Sequence, residues 1–190
     1  MLTNIFPTKI EVINNFLIED EINNVYNIIK KLLHTDHPAI SGDGKSTFSH
    51  YPNFLKEVPL EKKINDEVKK YCSSCKIQFS KINHCWSNIQ KKDSFLKMHH
   101  HGDAPVVGVI FIKTDEKSSK LCFENPNPHS IVTDYTRDPN PNILCYKVKP
   151  GDLFIFPGWL QHGSNYELSK SEERIVLSFN CKNIEIGLEF

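Results

Sequence analysis

Met98-His99-His100-His101-Gly102-Asp103 stands just ahead of the apolar run Val106-Val107-Gly108-Val109-Ile110-Phe111-Ile112. That run is short and rich in β-branched residues, which reads as a buried β-strand. Extended backbone places residues two apart on one face. His99, His101 and Asp103 therefore share a face, and His100 points away. Two ligands spaced this way at a strand end can grip one metal ion, and a third must come from a distant part of the chain. Phe156-Pro157-Gly158-Trp159-Leu160-Gln161-His162 offers His162. Two imidazoles and one carboxylate leave three positions open on a non-haem iron. On that chemistry His101, Asp103 and His162 form the triad. A second register pairs His99 with His101, sets Asp103 behind them, and gives a three-His site. His101 and His162 belong to both. The same donors also suit zinc.

Arg174 follows Glu172 and Glu173 and opens the strand-like Arg174-Ile175-Val176-Leu177-Ser178-Phe179-Asn180. A buried arginine needs an anionic partner. Its planar fork suits a carboxylate, either that of an acidic cosubstrate or that of Glu172 or Glu173. Val176, Ser178 and Asn180 share its face and are expected to line the same cavity.

Around these blocks the chain changes character once. Residues 8 to 18 read as a short strand and loop. From Glu19 to Leu33 the apolar residues Ile22, Val25, Tyr26, Ile29, Leu32 and Leu33 fall on one helical face, with acids at the start and Lys30 and Lys31 near the end. His34 to Pro52 reads as a loop. Pro59 opens a second helix carrying Leu60, Ile64, Val68, Tyr71 and Cys72 on one side. From residue 76 onward come short β-rich runs: Ile77–Trp86, Val106–Ile112, Lys120–Phe123, Ile143–Val148, Leu153–Phe156 and Arg174–Asn180. Pro150-Gly151-Asp152 is a turn between two of them. Asn125 to Pro141, with prolines at 126, 128, 139 and 141, reads as a long surface loop. Helices first and strands after predict an α+β, mainly β fold. The expected organisation is one domain over 1–190, helical to about residue 75 and β from about 76.

A chain of 190 residues can bury a sizeable core. Its 23 basic and 23 acidic residues cancel, which argues against nucleic-acid binding through a basic surface. The apolar segments are shorter than a membrane span, and the first residues lack a signal peptide's pattern. The expectation is a soluble, cytoplasmic protein with no membrane partner. Six cysteines, at 72, 75, 85, 122, 145 and 181, are then expected as thiols rather than disulfides. Cys72 and Cys75 form a lone C-x-x-C, read as helix-end cysteines packed as small hydrophobes.

At these residues the chain resembles the iron(II)- and 2-oxoglutarate-dependent oxygenase superfamily, above all its bacterial and phage group. That group shows a Trp-x-Asn, a His-x-His before a Ser-Gly-Val-Tyr-Tyr strand, a Phe-Pro-Ser-Trp-Leu-x-His, and an Arg-Ile-Ser-Ile-Ser-Phe-Asn. This chain has Trp86-Ser87-Asn88, His99-His100-His101, Val107 to Phe111, Phe156 to His162 and Arg174 to Asn180. Ile5-Phe6-Pro7-Thr8 and Phe123-Glu124-Asn125-Pro126 are similar too. The resemblance implies a double-stranded β-helix (jelly-roll, cupin-like) core with the helices packed on it. It implies iron(II) and 2-oxoglutarate as cofactor and cosubstrate, oxygen as oxidant, and hydroxylation of an unidentified small-molecule or peptidyl substrate with release of succinate and carbon dioxide. It favours His99 with His101 as the ligand pair, against the chemical preference for Asp103. Two departures matter. Ile110-Phe111 removes a tyrosine hydroxyl, and Val176 replaces a serine that can support the cosubstrate carboxylate. Arg174 then needs another helper, and Asn88 is a candidate. The rival reading is a cupin-like metalloprotein: a three-His dioxygenase, an isomerase, or a binding module without turnover.

Overall fold

The structure is a computed structural model describing residues 7–57, 60–127 and 142–184. In chain order its elements are β1 (Glu11–Ile13), α1 (Glu19–Ile29), β2 (Ile40–Ser41), β3 (Gly44–Ser46), a 3-10 turn (Phe54–Glu57), α2 (Leu60–Cys75), β4 (Ser80–Gln90), β5 (Phe95–Leu96), β6 (Val106–Lys113), β7 (Leu121–Glu124), β8 (Ile143–Tyr146), β9 (Leu153–Pro157), β10 (His162–Gly163) and β11 (Arg174–Asn183). Six of these strands form a sheet in the order β1-β9-β6-β11-β4-β3. A smaller sheet, β10-β7-β8, and the pair β2-β5 lie beside it. All named strand pairs are antiparallel.

The period-2 alternation of β11 creates two cores. Ile175, Leu177, Phe179 and Cys181 join a cluster with Val25 and Ile29 of α1 and with Ile64, Val68 and Tyr71 of α2. Val176 faces the other way, into a cluster with Val107, Val109, Phe111, Leu121, Phe123 and Phe156. The first core ties both helices to the back of the main sheet. The second fills the space between the two sheets. This is the mainly β architecture expected of a jelly roll with helices packed on it.

Helix α1 ends at Ile29 rather than Leu33, and the next turn closes through the tighter bonds Lys31 N–H to Ile28 and Leu32 N–H to Ile29. Leu33 is left exposed. At the other end, the Glu21 carboxylate accepts the free Ile18 N–H at 3.0 Å. Helix α2 buries the apolar stripe read from its spacing; Pro59 lies outside the described residues, as does most of the 125–141 loop.

Three expectations are corrected. The 34–52 loop contains β2 and β3, which pair with β5 and β4 respectively. Strand β4 begins at Ser80, not Ile77, and runs on to Gln90. Cys122 and Cys145 form a disulfide, because the β7–β8 register sets them directly opposite at a Cα–Cα distance of 4.0 Å. Cys72, Cys75, Cys85 and Cys181 are free, the C-x-x-C pair sitting at the end of α2 with Cys72 buried. Among the described residues no helix is long and apolar enough to cross a membrane.

Candidate metal and cosubstrate site

The segment 97–104 and the stretch 158–162, which runs into β10, are stapled by backbone hydrogen bonds. His99 N–H donates to the His162 carbonyl at 3.0 Å, and His162 N–H donates to the His99 carbonyl at 2.9 Å. His101 N–H donates to the Gly158 carbonyl at 2.8 Å. Gly158 makes this approach feasible, since a Cβ there would collide with the Ala104 carbonyl. The result brings imidazoles from two distant stretches together. His99, His101 and His162 offer ring nitrogens that all lie within 4.8 Å of one another, and this is the group of three or more metal-capable side chains among the described residues. The His101 and His162 Nε2 atoms are 3.2 Å apart.

Two of the rings are oriented from behind. The His99 Nδ1 lies 2.8 Å from the Lys97 carbonyl, and the His162 Nδ1 lies 2.8 Å from the Leu160 carbonyl. A carbonyl only accepts, so each Nδ1 carries the proton and each Nε2 keeps a free lone pair. Burial is the leading reason that all three imidazoles titrate below the ordinary histidine range, with His101 pushed down to about 4. The rings are thus neutral near pH 7, the state a metal ligand needs.

Asp103 is not part of this group. It is exposed, and it follows Gly102, whose φ of +42° turns the chain out of the extended conformation. The shared face read from period-2 spacing therefore stops at His101.

The three histidines border a cavity of about 330 Å³. Its floor is set by register: Arg174 lies opposite Gln90, Val176 opposite Asn88 and Phe111, and Ser178 opposite Trp86 and Val109. Directly opposed residues share a face, and all of these line the cavity along with Asn180. Arg174, 3% exposed, has no carboxylate against it among the described residues. Glu173 points to the opposite face, and Glu172 is exposed. The Arg174 guanidinium lies 5.2 Å from the Phe111 ring centre and donates from Nη1 to Gln90 Oε1. Burial lowers its pKa to about 10. Its Nε, the Gln90 Nε2 and the Asn88 Oδ1 atoms are buried with no hydrogen-bond partner among the described residues. Buried polar groups are normally satisfied, so such a cluster marks where a ligand belongs.

Three contributors had escaped sequence reading. Gln90 continues the 86, 88, 90 alternation, but only once β4 is known to reach it. His37 and Phe48 come from the 34–52 segment and border the cavity. Phe48 meets the Trp86 ring edge-on at 5.1 Å, and Trp86 stacks on His101 at 5.7 Å. No local sequence signal marks either residue.

Residues 84–180, just over half of the chain, match the family model described as "Putative 2OG-Fe(II) oxygenase". No curated protein matches the sequence. Among solved structures, HygX from Streptomyces hygroscopicus with nickel and 2-oxoglutarate bound is 14% identical, with a TM-score of 0.66 over 94% of this chain and 84% of that one. The 2-oxoglutarate complex of the viral collagen prolyl hydroxylase from Paramecium Bursaria Chlorella virus-1 is 17% identical, with a TM-score of 0.64 over 92% and 96% of the two chains. A Pseudomonas putida prolyl-4-hydroxylase is 9% identical, with a TM-score of 0.65 over 93% and 94%. At such identities these likenesses speak for the fold, the double-stranded β-helix. Together with the site's geometry, the family match identifies the chain as a member of the 2OG-Fe(II) oxygenases, enzymes that use iron(II) and 2-oxoglutarate.

Proposed function

We propose that His99, His101 and His162 hold the iron and that Arg174 receives the distal carboxylate of 2-oxoglutarate, with Asn88 at the side of that subsite. The buried guanidinium, which meets no acid among the described residues, is the observation that carries this reading. A charge taken out of water at that depth is costly until an anion reaches it. Bound iron supplies the oxidising chemistry of the family, with succinate and carbon dioxide as by-products. The residues of this chain position and shield it. Three neutral imidazoles leave the full double charge of iron(II), where a carboxylate ligand would halve it, and that favours an anionic 2-oxo acid. The apolar walls Val107, Val109, Phe111 and Val176 keep water from the cosubstrate.

The substrate is a small molecule or a peptidyl group, and His37, Pro38 and Phe48 contribute to the cavity wall it meets. Among the described residues no acidic side chain lines the cavity, which fits a reacting region without a cationic group. The helices and the sheet share one core, which supports reading 1–190 as one oxygenase domain. The three-His donor set also suits a cupin-like dioxygenase, isomerase or binding module that uses no 2-oxo acid, but that reading leaves the Arg174 charge without a purpose.

Anaerobic titration distinguishes the two. Iron(II) and 2-oxoglutarate together should give a weak visible charge-transfer band that neither gives alone. Tight zinc binding with no such band points to the rival.

A further inference from the structure

We propose that Gln90 is the second donor to the distal carboxylate of 2-oxoglutarate, as well as the residue that locks Arg174 in place. The inference rests on the reading of Arg174 given above and adds to it a contact on the neighbouring strand. A guanidinium donates and never accepts. Gln90 must therefore present its carbonyl oxygen to Arg174 Nη1, as it does, and its NH2 group must face elsewhere. On its other side Gln90 lies opposite Gly44, which has no side chain to offer. The Gln90 Nε2 is buried, meets no acceptor among the described residues, and belongs to a side chain that lines the cavity. Arg174 Nε is buried and equally without an acceptor. Two cross-strand neighbours thus line one cavity with donor capacity unused among the described residues, and a carboxylate has two oxygens, one for the guanidinium and one for the amide.

The chain needs such a donor. Two residues beyond Arg174 on the same face stands Val176, with no hydroxyl, and opposite it stands Phe111. Ile110 points into the helix-side core. Gln90 supplies from β4 the hydrogen bond that Val176 and Phe111, the cavity-facing residues beside Arg174 on β11 and β6, do not offer. It also keeps the guanidinium from swinging, so less ordering is left to be done when the cosubstrate binds.

The test compares 2-oxoglutarate with pyruvate, which offers the same 2-oxo acid end but no distal carboxylate. Both are titrated anaerobically into the iron(II)-loaded protein by the charge-transfer band, and into the zinc-loaded protein by calorimetry. Gln90→Leu should weaken 2-oxoglutarate roughly 10- to 100-fold, the range of a hydrogen bond to a charged group. Gln90→Glu pairs Arg174 internally and opposes the incoming carboxylate, so the loss should exceed about 100-fold. Pyruvate and metal affinities should stay put in both variants, and the thermal midpoint of Gln90→Glu should not fall. A fold defect would move pyruvate and metal binding as well. Wild-type affinity for 2-oxoglutarate in Gln90→Glu overturns this proposal alone. Failure of the unaltered protein to prefer 2-oxoglutarate over pyruvate overturns the Arg174 reading with it.

Discussion

On the helix side of β11 the Glu173 carboxylate accepts hydrogen bonds from Lys30, Lys91 and Lys113 at 2.9, 3.0 and 3.0 Å. One residue later, on the cavity side, the Arg174 guanidinium is buried beside an amide and an aromatic ring, with no carboxylate of the described residues in reach. The two faces of this strand differ in the same way along its length. Ile175, Leu177 and Phe179 are fully packed in the helix-side core, whereas the polar Ser178 and Asn180 line the cavity. A charge with more partners than it needs ties elements together. A charge with fewer is held ready for something that arrives later. The contrast separates groups that stabilise the fold from groups that serve the reaction, and substitution can test that separation.

The largest effect is expected at the metal. His162→Ala should lower iron(II) affinity by more than the roughly 10- to 100-fold that loss of a supporting group costs, and should abolish turnover. Unchanged metal affinity would remove the three-His assignment. Arg174→Met comes next. It should weaken 2-oxoglutarate by at least about 100-fold while leaving iron(II) affinity nearly untouched. The ligand-free protein should be as stable as before or more so, because an uncompensated buried charge is gone. Equal loss of iron and 2-oxoglutarate binding would mean that Arg174 supports the fold as Glu173 does.

The cavity face of β11 was legible in the sequence, where Val176, Ser178 and Asn180 alternate with Arg174, but the lysines around Glu173 were not, and the limits have physical causes. β6, β9 and β11 announce themselves as apolar runs, because buried strands need little from elsewhere to be recognised. β2 and β3 do not, since strands of two and three residues exist only because β5 and β4 lie beside them. The imidazoles that the backbone brings together were visible as a spacing. Whether His99 or Asp103 joined His101 was not, since period-2 alternation holds only while the chain is extended, and Gly102 ends that. Gln90 stayed hidden because the end of β4 is decided by pairing with Arg174 and Gly44, not by local preference. The Cys122–Cys145 pairing follows from register, and reasoning from cellular compartment pointed the wrong way. Its removal is the third substitution. Cys145→Ser should destabilise the protein by about 3 kcal/mol, the value for closing a loop of this separation, 23 residues. Denaturation with and without a reducing agent should show the same difference.

Glu173→Gln belongs to the stabilising face and should do less. The three lysines are 40%, 44% and 48% exposed, so solvent screens them. The expected loss near pH 7 is about 1–2 kcal/mol, with 2-oxoglutarate affinity unchanged. Burial alone would raise the Glu173 pKa, but the hydrogen bonds from Lys30, Lys113 and Lys91 outweigh it and take it down to about 2. A carboxylate held below its ordinary 4.5 contributes fully above that pH and loses its contribution as pH falls toward 2. The gap between the unaltered protein and Glu173→Gln should therefore close over that interval in urea titrations. A gap that persists at the acid end would assign the effect to packing.

The smallest effect is expected at Asp103, and it bears on the same comparison. This carboxylate is exposed, so water already satisfies it, and it has neither the surplus of partners of Glu173 nor the deficit of Arg174. Asp103→Ala should leave iron(II) affinity, 2-oxoglutarate affinity and thermal midpoint unchanged within measurement. His99→Ala, in parallel, should lose metal binding on the scale of His162→Ala. If the two results were exchanged, the segment after His101 would have to fold back toward the metal when iron binds. Gly102 would then act as a hinge rather than the end of the ligand-bearing face, and the donor set would include a carboxylate after all.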